Sequence, residues 1–168
     1  MKSVRFLLRS CSVLGFASLV AVGATAADAD AVLGTWATED KDGNRDSIVA
    51  ITKQGGAYVG TVVWLKNDVY PLKDPQGMAG QTVVDRENPD PALRKRPING
   101  IQIVHGLRYE AGEWVDGKIY APREGATYSA KATLEDPNTL NIRGYIGTPW
   151  LGQTVTWYRT EVPADSIE

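Results

Sequence analysis

Apolar and polar residues alternate in short runs along most of the chain, and Gly, Pro, Asn and Asp interrupt the runs at regular intervals. A period of two with turn residues at the breaks is the pattern of half-buried strands. Eight strands are predicted: Gly34–Thr38, Ser47–Lys53, Ala57–Leu65, Ile101–Tyr109, Glu113–Tyr120, Ala126–Leu134, Leu140–Ile146 and Gln153–Arg159. Asp42-Gly43-Asn44, Gln54-Gly55-Gly56, Glu110-Ala111-Gly112 and Asp136-Pro137-Asn138 supply the turns between them. No helical period of 3.6 persists in any run.

Successive side chains on a strand point to opposite faces, so parity assigns the interior. The sixth strand is the cleanest, with Ala126, Tyr128, Ala130, Ala132 and Leu134 on one face and Thr127, Ser129, Lys131 and Thr133 on the other. In the seventh, Leu140, Ile142 and Ile146 oppose Asn141, Arg143 and Tyr145. In the fourth, Ile101, Ile103, His105, Leu107 and Tyr109 fall together, which points His105 inward. The third strand is apolar on both faces, and parity does not decide it.

A meander of this length must protect its edge strands, by folding into a sandwich or by closing on itself. The expected fold is all-β: an eight-stranded antiparallel up-and-down barrel. Such a barrel has room for packed side chains or for one small ligand.

One interruption, from Lys66 to Asn99, is too long for a plain hairpin link between strands three and four. Within it, Asp90-Pro91-Ala92-Leu93-Arg94-Lys95 reads as a single helical turn, with Asp90 as N-cap, Pro91 at the first position and Pro97 as the stop. The segment is read as a lid over a barrel end, the alternative being a solvated excursion with no role.

Residues 1–26 read as a cleaved secretory signal peptide, which leaves 27–168 as one domain. Lys2, Arg5 and Arg9 make the positive region, Ser12 to Ala24 the apolar region, and Ala24-Thr25-Ala26 the small-x-small cleavage pattern. The rival reading is a membrane anchor, but the apolar run falls short of the roughly 20 residues needed to cross a bilayer. A periplasmic or secreted protein is expected. Cys11 and both phenylalanines lie in the leader, so the remaining aromatic residues are all Trp or Tyr.

Charge removes one class of function. The chain has 168 residues with 18 Lys+Arg against 20 Asp+Glu and a pI near 5.5. A nucleic-acid binder needs clustered Lys and Arg to displace counterions, so no nucleic-acid partner is expected.

Two resemblances follow from named residues. Gly34-x-Trp36 on the first strand, with Trp157-x-Arg159 on the last, is similar to the lipocalin (calycin) signature. That resemblance implies that Trp36 closes one barrel end and that Arg159 packs over its indole. A broader match rests on Gly34-Thr35-Trp36-Ala37-Thr38-Glu39, on Gly60-Thr61-Val62-Val63-Trp64-Leu65, and on Asp85-Arg86-Glu87-Asn88-Pro89-Asp90-Pro91 through Leu93 to Gly100. It continues in Trp114 to Pro122 and in Arg143-Gly144-Tyr145-Ile146-Gly147 leading to Leu151 through Trp157. In these the chain resembles the bacterial domain of unknown function 2147 family. The resemblance implies export and a lipocalin-like barrel, and no settled activity. Ala121 stands where the resemblance leads one to expect Asp, so no role for a carboxylate carries over there.

Candidate site residues each have a functional and a structural reading. His105, the one histidine, is a polar handle in a cavity or a general base, or else a buried neutral imidazole bonded to backbone. Asp85, Asn88, Asp90, Arg94 and Arg96 form a dense polar cluster that presents a carboxylate and guanidinium groups to a ligand, or else satisfies itself as a lid. Ala126, Ala130 and Ala132 leave volume for a pocket edged by Tyr109 and Tyr128, or taper a packed core. No nucleophile elbow or phosphate loop is present, and one histidine without a cysteine in the domain argues against a metal site. No cofactor is expected.

The leading expectation is an exported lipocalin-like protein that binds a small hydrophobic or amphipathic molecule, using His105, Tyr109, Tyr128, Asp85, Asn88, Arg94 and Arg96. The alternatives are an enzyme with His105 or Asp85 as acid or base, and an envelope protein-binding module that presents exterior Tyr and Trp residues.

Overall fold

The structure, a computed structural model, describes residues 26–39 and 43–164. Apart from Ala26, the residues read as a leader lie outside the described residues, as does Asp42 of the first turn.

Eight strands form one closed antiparallel barrel in which every strand pairs with its sequence neighbours, and the last pairs with the first. They are β1 (Gly34–Glu39), β2 (Arg45–Gln54), β3 (Ala57–Leu65), β4 (Gln102–Glu110), β5 (Glu113–Ala121), β6 (Ala126–Asp136), β7 (Thr139–Tyr145) and β8 (Gln153–Arg159). Closure is made by Trp36 opposite Arg159 and Ala37 opposite Tyr158. With no free edge, the ladder cannot recruit another strand.

The up-and-down order gives the barrel two different ends. The tight β2–β3, β4–β5 and β6–β7 turns share one end with the N-terminal segment. That end is packed solid. Trp36, Tyr58, Leu107, Trp114, Leu140 and Ile142 are buried within it. Trp114 lies edge-on to Tyr58, with ring centroids 6.4 Å apart, and Tyr109 tilts against Trp114 at 5.0 Å. The small inward residues make room for these groups. Ala132 sits opposite Trp114, and a methyl group on Gly117 would come within 2.5 Å of Leu107 Cδ2. The alanines of β6 therefore taper a filled core at this end.

A short helical turn (Ala26–Ala29) and a 3-10 turn (Asp30–Val32) plug the packed end. Two of the three buried indoles bond to the plug: Trp36 Nε1 donates to the Val32 carbonyl at 2.9 Å and Trp114 Nε1 to the Ala29 carbonyl at 3.1 Å. Tyr58 Oη and Lys53 Nζ both donate to Asp30 Oδ1, at 2.6 and 2.8 Å. The polar tips of the core aromatics thus find partners in the same segment that excludes water from their rings.

Parity succeeds on β6 and within β7, but not at Ile146, which lies past the end of β7 and is 70% exposed, and it fails at one residue of β4. His105 is exposed, while Ile103, Val104 and Leu107 are buried. The register shows why. Tyr58 pairs with Leu107, Gly60 with Val104 and Thr61 with Gln102, so β4 carries two extra residues against β3. One bulge turns both Ile103 and Val104 toward the core. The other, with Gly106 at φ +68°, turns His105 out and returns Leu107 inward. The inward reading of His105 is corrected accordingly. In β3, Ile48 pairs with Trp64 but Val49 with Val62. The extra residue there brings Tyr58, Val62 and Leu65 to the same face, which strict alternation forbids.

The Lys66–Asn99 segment is ordered along the other end. It holds itself by two isolated bridges, Val69 with Thr82 and Val84 with Pro97. The expected turn forms as a 3-10 turn, Pro91–Leu93, in which Asp90 Oδ1 accepts from the Ala92 amide at 2.9 Å. The segment is pressed against the β5–β6 turn, since a Cβ on Gly125 would lie 1.9 Å from the Glu87 carbonyl oxygen.

Candidate functional site

At the end away from the plug lies a cavity of about 510 Å³. This falls within the roughly 300–1,000 Å³ usual for small-molecule sites. Val62, Leu65, Ile103 and Ala121 come to it from the strands, and Tyr70, Val83, Val84 and Ile98 from the long segment. Charged groups gather on the same cavity: Asp46, Arg86, Glu87, Arg123 and Glu124.

Those charges are held in place by one another. Arg123 Nη2 donates to both Asp46 oxygens, at 2.8 and 2.9 Å. Arg86 Nη1 donates to Asp74 at 2.8 Å, and its guanidinium lies 4.5 Å from the centroid of the Tyr70 ring. That bond to Arg86, with the Met78 and Gln76 amides, holds the Asp74 carboxyl below its ordinary range. Tyr128 Oη donates to Glu124, and this contact, with burial second, raises the phenol above its usual value.

Behind the cavity the segment is fixed to the barrel wall by a buried polar network. Asp85 is 0% exposed. Its Oδ2 accepts from Arg96 Nε and Nη2 at 3.0 and 2.8 Å and from Asn88 Nδ2 at 2.7 Å, and its Oδ1 accepts from Tyr120 Oη at 2.6 Å. Burial, with the Asp85 bond second, pushes the Tyr120 phenol up to about 12. Arg94 Nε donates to the Asn88 carbonyl at 2.7 Å. Among the described residues no buried side-chain polar atom lacks a partner. A carboxylate with both oxygens so occupied anchors the segment and has no free lone pair aimed at a substrate.

The residues singled out in the sequence do not converge on the cavity. Asp85, Asn88, Arg94 and Arg96 make the anchoring network, although Arg86 and Glu87 between them reach the cavity. Tyr109 packs on Trp114 at the plugged end. Tyr128 stands one contact away, through Glu124. His105 is on the outer wall. Trp36 and Arg159 lie together at the plugged end, with the guanidinium 4.2 Å from the indole centroid. The cavity walls that sequence reasoning missed, Tyr70, Val83, Val84 and Ile98, sit in the segment without periodicity. Their one signal is that a solvated excursion needs no such apolar residues.

A family model described as "Uncharacterized protein conserved in bacteria (DUF2147)" matches residues 34–159. The chain belongs to the DUF2147 family. The match runs from the first residue of β1 to the last of β8, so the DUF2147 unit is the barrel itself, with the long segment inside it. Among solved structures, a Helicobacter pylori protein described as belonging to the lipocalin family superposes with a TM-score of 0.61 at 20% identity, over 80% of this chain and 94% of that one. At that identity the likeness concerns the fold, and this DUF2147 barrel is lipocalin-like. No curated protein matches the sequence. In this member Ala121 lines the cavity, so a methyl group occupies a wall position where a carboxylate was expected.

Proposed function

We propose that the protein binds a small amphipathic molecule in the open-end cavity. The apolar part would rest against Val62, Ile98 and Ile103, and the polar part among Arg86, Glu87 and Arg123. The observation that supports this is the division of the cavity, apolar where it enters the barrel and charged at its rim. Pockets of that kind take their affinity from the walls and their orientation from a few polar groups. Because the other end is filled by Trp36, Trp114 and Leu140, the ligand occupies the mouth and does not run the length of the axis. The Lys66–Asn99 segment acts as the lid.

Purified protein should carry an organic ligand visible by native mass spectrometry, and a fluorescent fatty-acid probe should bind at micromolar concentration. Ile103→Trp, which fills the cavity, should weaken the probe by about tenfold or more. No co-purified mass together with no saturable probe binding would overturn the reading.

The leader supports export to the periplasm or beyond. N-terminal sequencing of the protein from osmotic-shock fluid should begin at Ala27, and recovery with residues 1–26 attached in the cytosol would refute it.

A second reading, as an envelope protein-binding module, draws on the β7–β8 loop. There Ile146 is 70% and Trp150 91% exposed, and Arg143 holds the loop by donating to the Pro149 carbonyl at 2.6 Å. Pull-down from envelope extract with Trp150→Ala as the control tests that reading.

A further inference from the structure

The outer wall carries a second hollow, separate from the cavity at the mouth. It has a volume of about 630 Å³ and lies where the long segment returns to the barrel, with Asn88, Arg96, His105, Tyr120 and Thr127 along it. None of its described lining residues is Asp or Glu, although the chain has more acidic than basic residues.

The groups there divide into those that are occupied and those that are not. Tyr120 and Asn88 are bonded to Asp85 behind them. Arg96 gives Nε and Nη2 to Asp85, which leaves Nη1 without a protein acceptor among the described residues, on a side chain 37% exposed. His105 is turned onto this wall by the double bulge of β4, and its side chain has no hydrogen-bond partner among the described residues. Lys118 lies directly opposite His105 in the β4–β5 register, is exposed, and is equally unpartnered. Two carboxylates on the neighbouring elements are already paired, Asp85 with Arg96 and Asp116, on β5, with Arg108 at 2.5 Å. Directly opposed residues on one sheet face have Cβ atoms about 5 Å apart, so His105 and Lys118 can reach one anion together.

We propose that this outer groove is an anion site, in which His105 and the free edge of Arg96 on its lining, with Lys118 beside it opposite His105, recognise a phosphate monoester. With the Arg96 charge balanced by Asp85, Lys118 leaves a positive charge unpaired among the described residues, beside the His105 ring. A phosphomonoester carries about 1.5 to 2 negative charges at neutral pH and offers three acceptor oxygens, one for each of the three groups. The remaining volume admits the body that carries the phosphate.

The single histidine makes the test direct, because its ring gives one imidazole signal. Inorganic phosphate, titrated at neutral pH and constant ionic strength, should shift the His105 ring resonances along a saturable curve in the millimolar range. Lys118→Ala should weaken that curve by about fivefold or more, in line with the loss of a charge-assisted donor. Lys66→Ala, on the far side of the long segment, should leave it unchanged. Both residues are exposed, so thermal melting should be unaffected and a folded protein assured. Flotation with phosphatidylcholine vesicles containing phosphatidic acid identifies a lipid headgroup as the source, and a ring shift without flotation identifies a soluble phosphate. A linear, unsaturating shift, or equal curves for Lys118→Ala and Lys66→Ala, would overturn the proposal. The mouth cavity is unaffected by this result, since the fatty-acid probe reports on it separately.

Discussion

The Arg159 guanidinium lies over the Trp36 indole, 4.2 Å from its centroid, while its Nη1 and Nη2 donate to the Leu33 and Ala31 carbonyls at 2.8 Å each. One side chain from the last strand therefore closes the barrel, covers the first tryptophan and clamps the plug. The planar fork makes this possible, since a guanidinium can stack and donate in two directions together. Arg159→Lys keeps the charge but loses the fork, and should cost about 1–3 kcal/mol in chemical denaturation. A loss no larger than that of a surface Arg→Lys control would show the clamp to be incidental.

Acid should loosen the plug. Asp30 is held below its ordinary 3.8 by the bonds from Lys53 and Tyr58, in that order. A lowered folded value means that its contribution is complete above 3.8 and is lost as pH falls through the lowered value. Lys53 is raised above 10.5 by the same bond to Asp30, so its share is complete below 10.5 and fades only as alkaline pH passes the raised value. Both shifts leave the plug intact across neutral pH. Tryptophan fluorescence should report an acid transition at the plugged end that Asp30→Asn removes, and an identical transition in that variant counts against the assignment.

The buried Asp85 network should behave as an anchor. Tyr120→Phe leaves one carboxylate oxygen short of a donor and should cost about 1–3 kcal/mol. Asp85→Asn removes the counter-charge of the Arg96 guanidinium and should cost about 3–5 kcal/mol. If the network only fixes the segment, Tyr120→Phe should keep its affinity for the fatty-acid probe while its melting temperature falls. A loss of affinity with unchanged melting would instead make Tyr120 a ligand contact.

Ala121 tests the character of the cavity wall. Ala121→Asp would set a carboxylate among Val62, Leu65 and Ile103, and apolar burial of a charge is unfavourable unless it is paired. The fatty-acid probe should bind the variant about tenfold more weakly or worse, given costs of roughly 1–3 kcal/mol for an imperfectly paired polar group. Unchanged affinity would place the probe elsewhere.

Gly125 tests the seating of the segment. Its Cβ would meet the Glu87 carbonyl at 1.9 Å, and its φ is +63°, a region L side chains rarely adopt. Gly125→Ala should raise hydrogen exchange across residues 83–98 before it affects the plugged end. Uniform protection in the variant would mean the contact is slack.

Alternation along the chain was enough to mark eight strands in up-and-down order, because a period of two with turn residues at the breaks reports burial on one face directly; closure over a sandwich was decided by the pairing of β8 with β1. The capped turn at Asp90 and the pairing of Trp36 with Arg159 were legible for similar reasons, the first from local hydrogen bonding and the second from the resemblance. Parity carried the interior of β6 and of β7 as far as Ile142, and was wrong for Ile146, which falls past the strand in the exposed β7–β8 loop. It failed at His105 because two bulges in β4 undo the alternation, and strict parity ignores the one mark they leave, Gly106 in the middle of the run. Only the tertiary structure decided that the small residues of β6 accommodate Trp114, that Asp85 faces Tyr120 from 35 positions away, and that the cavity borrows Tyr70, Val83 and Ile98 from a segment without period. Those relations depend on which distant backbones come to lie side by side, and nothing local in the order of residues encodes that distance.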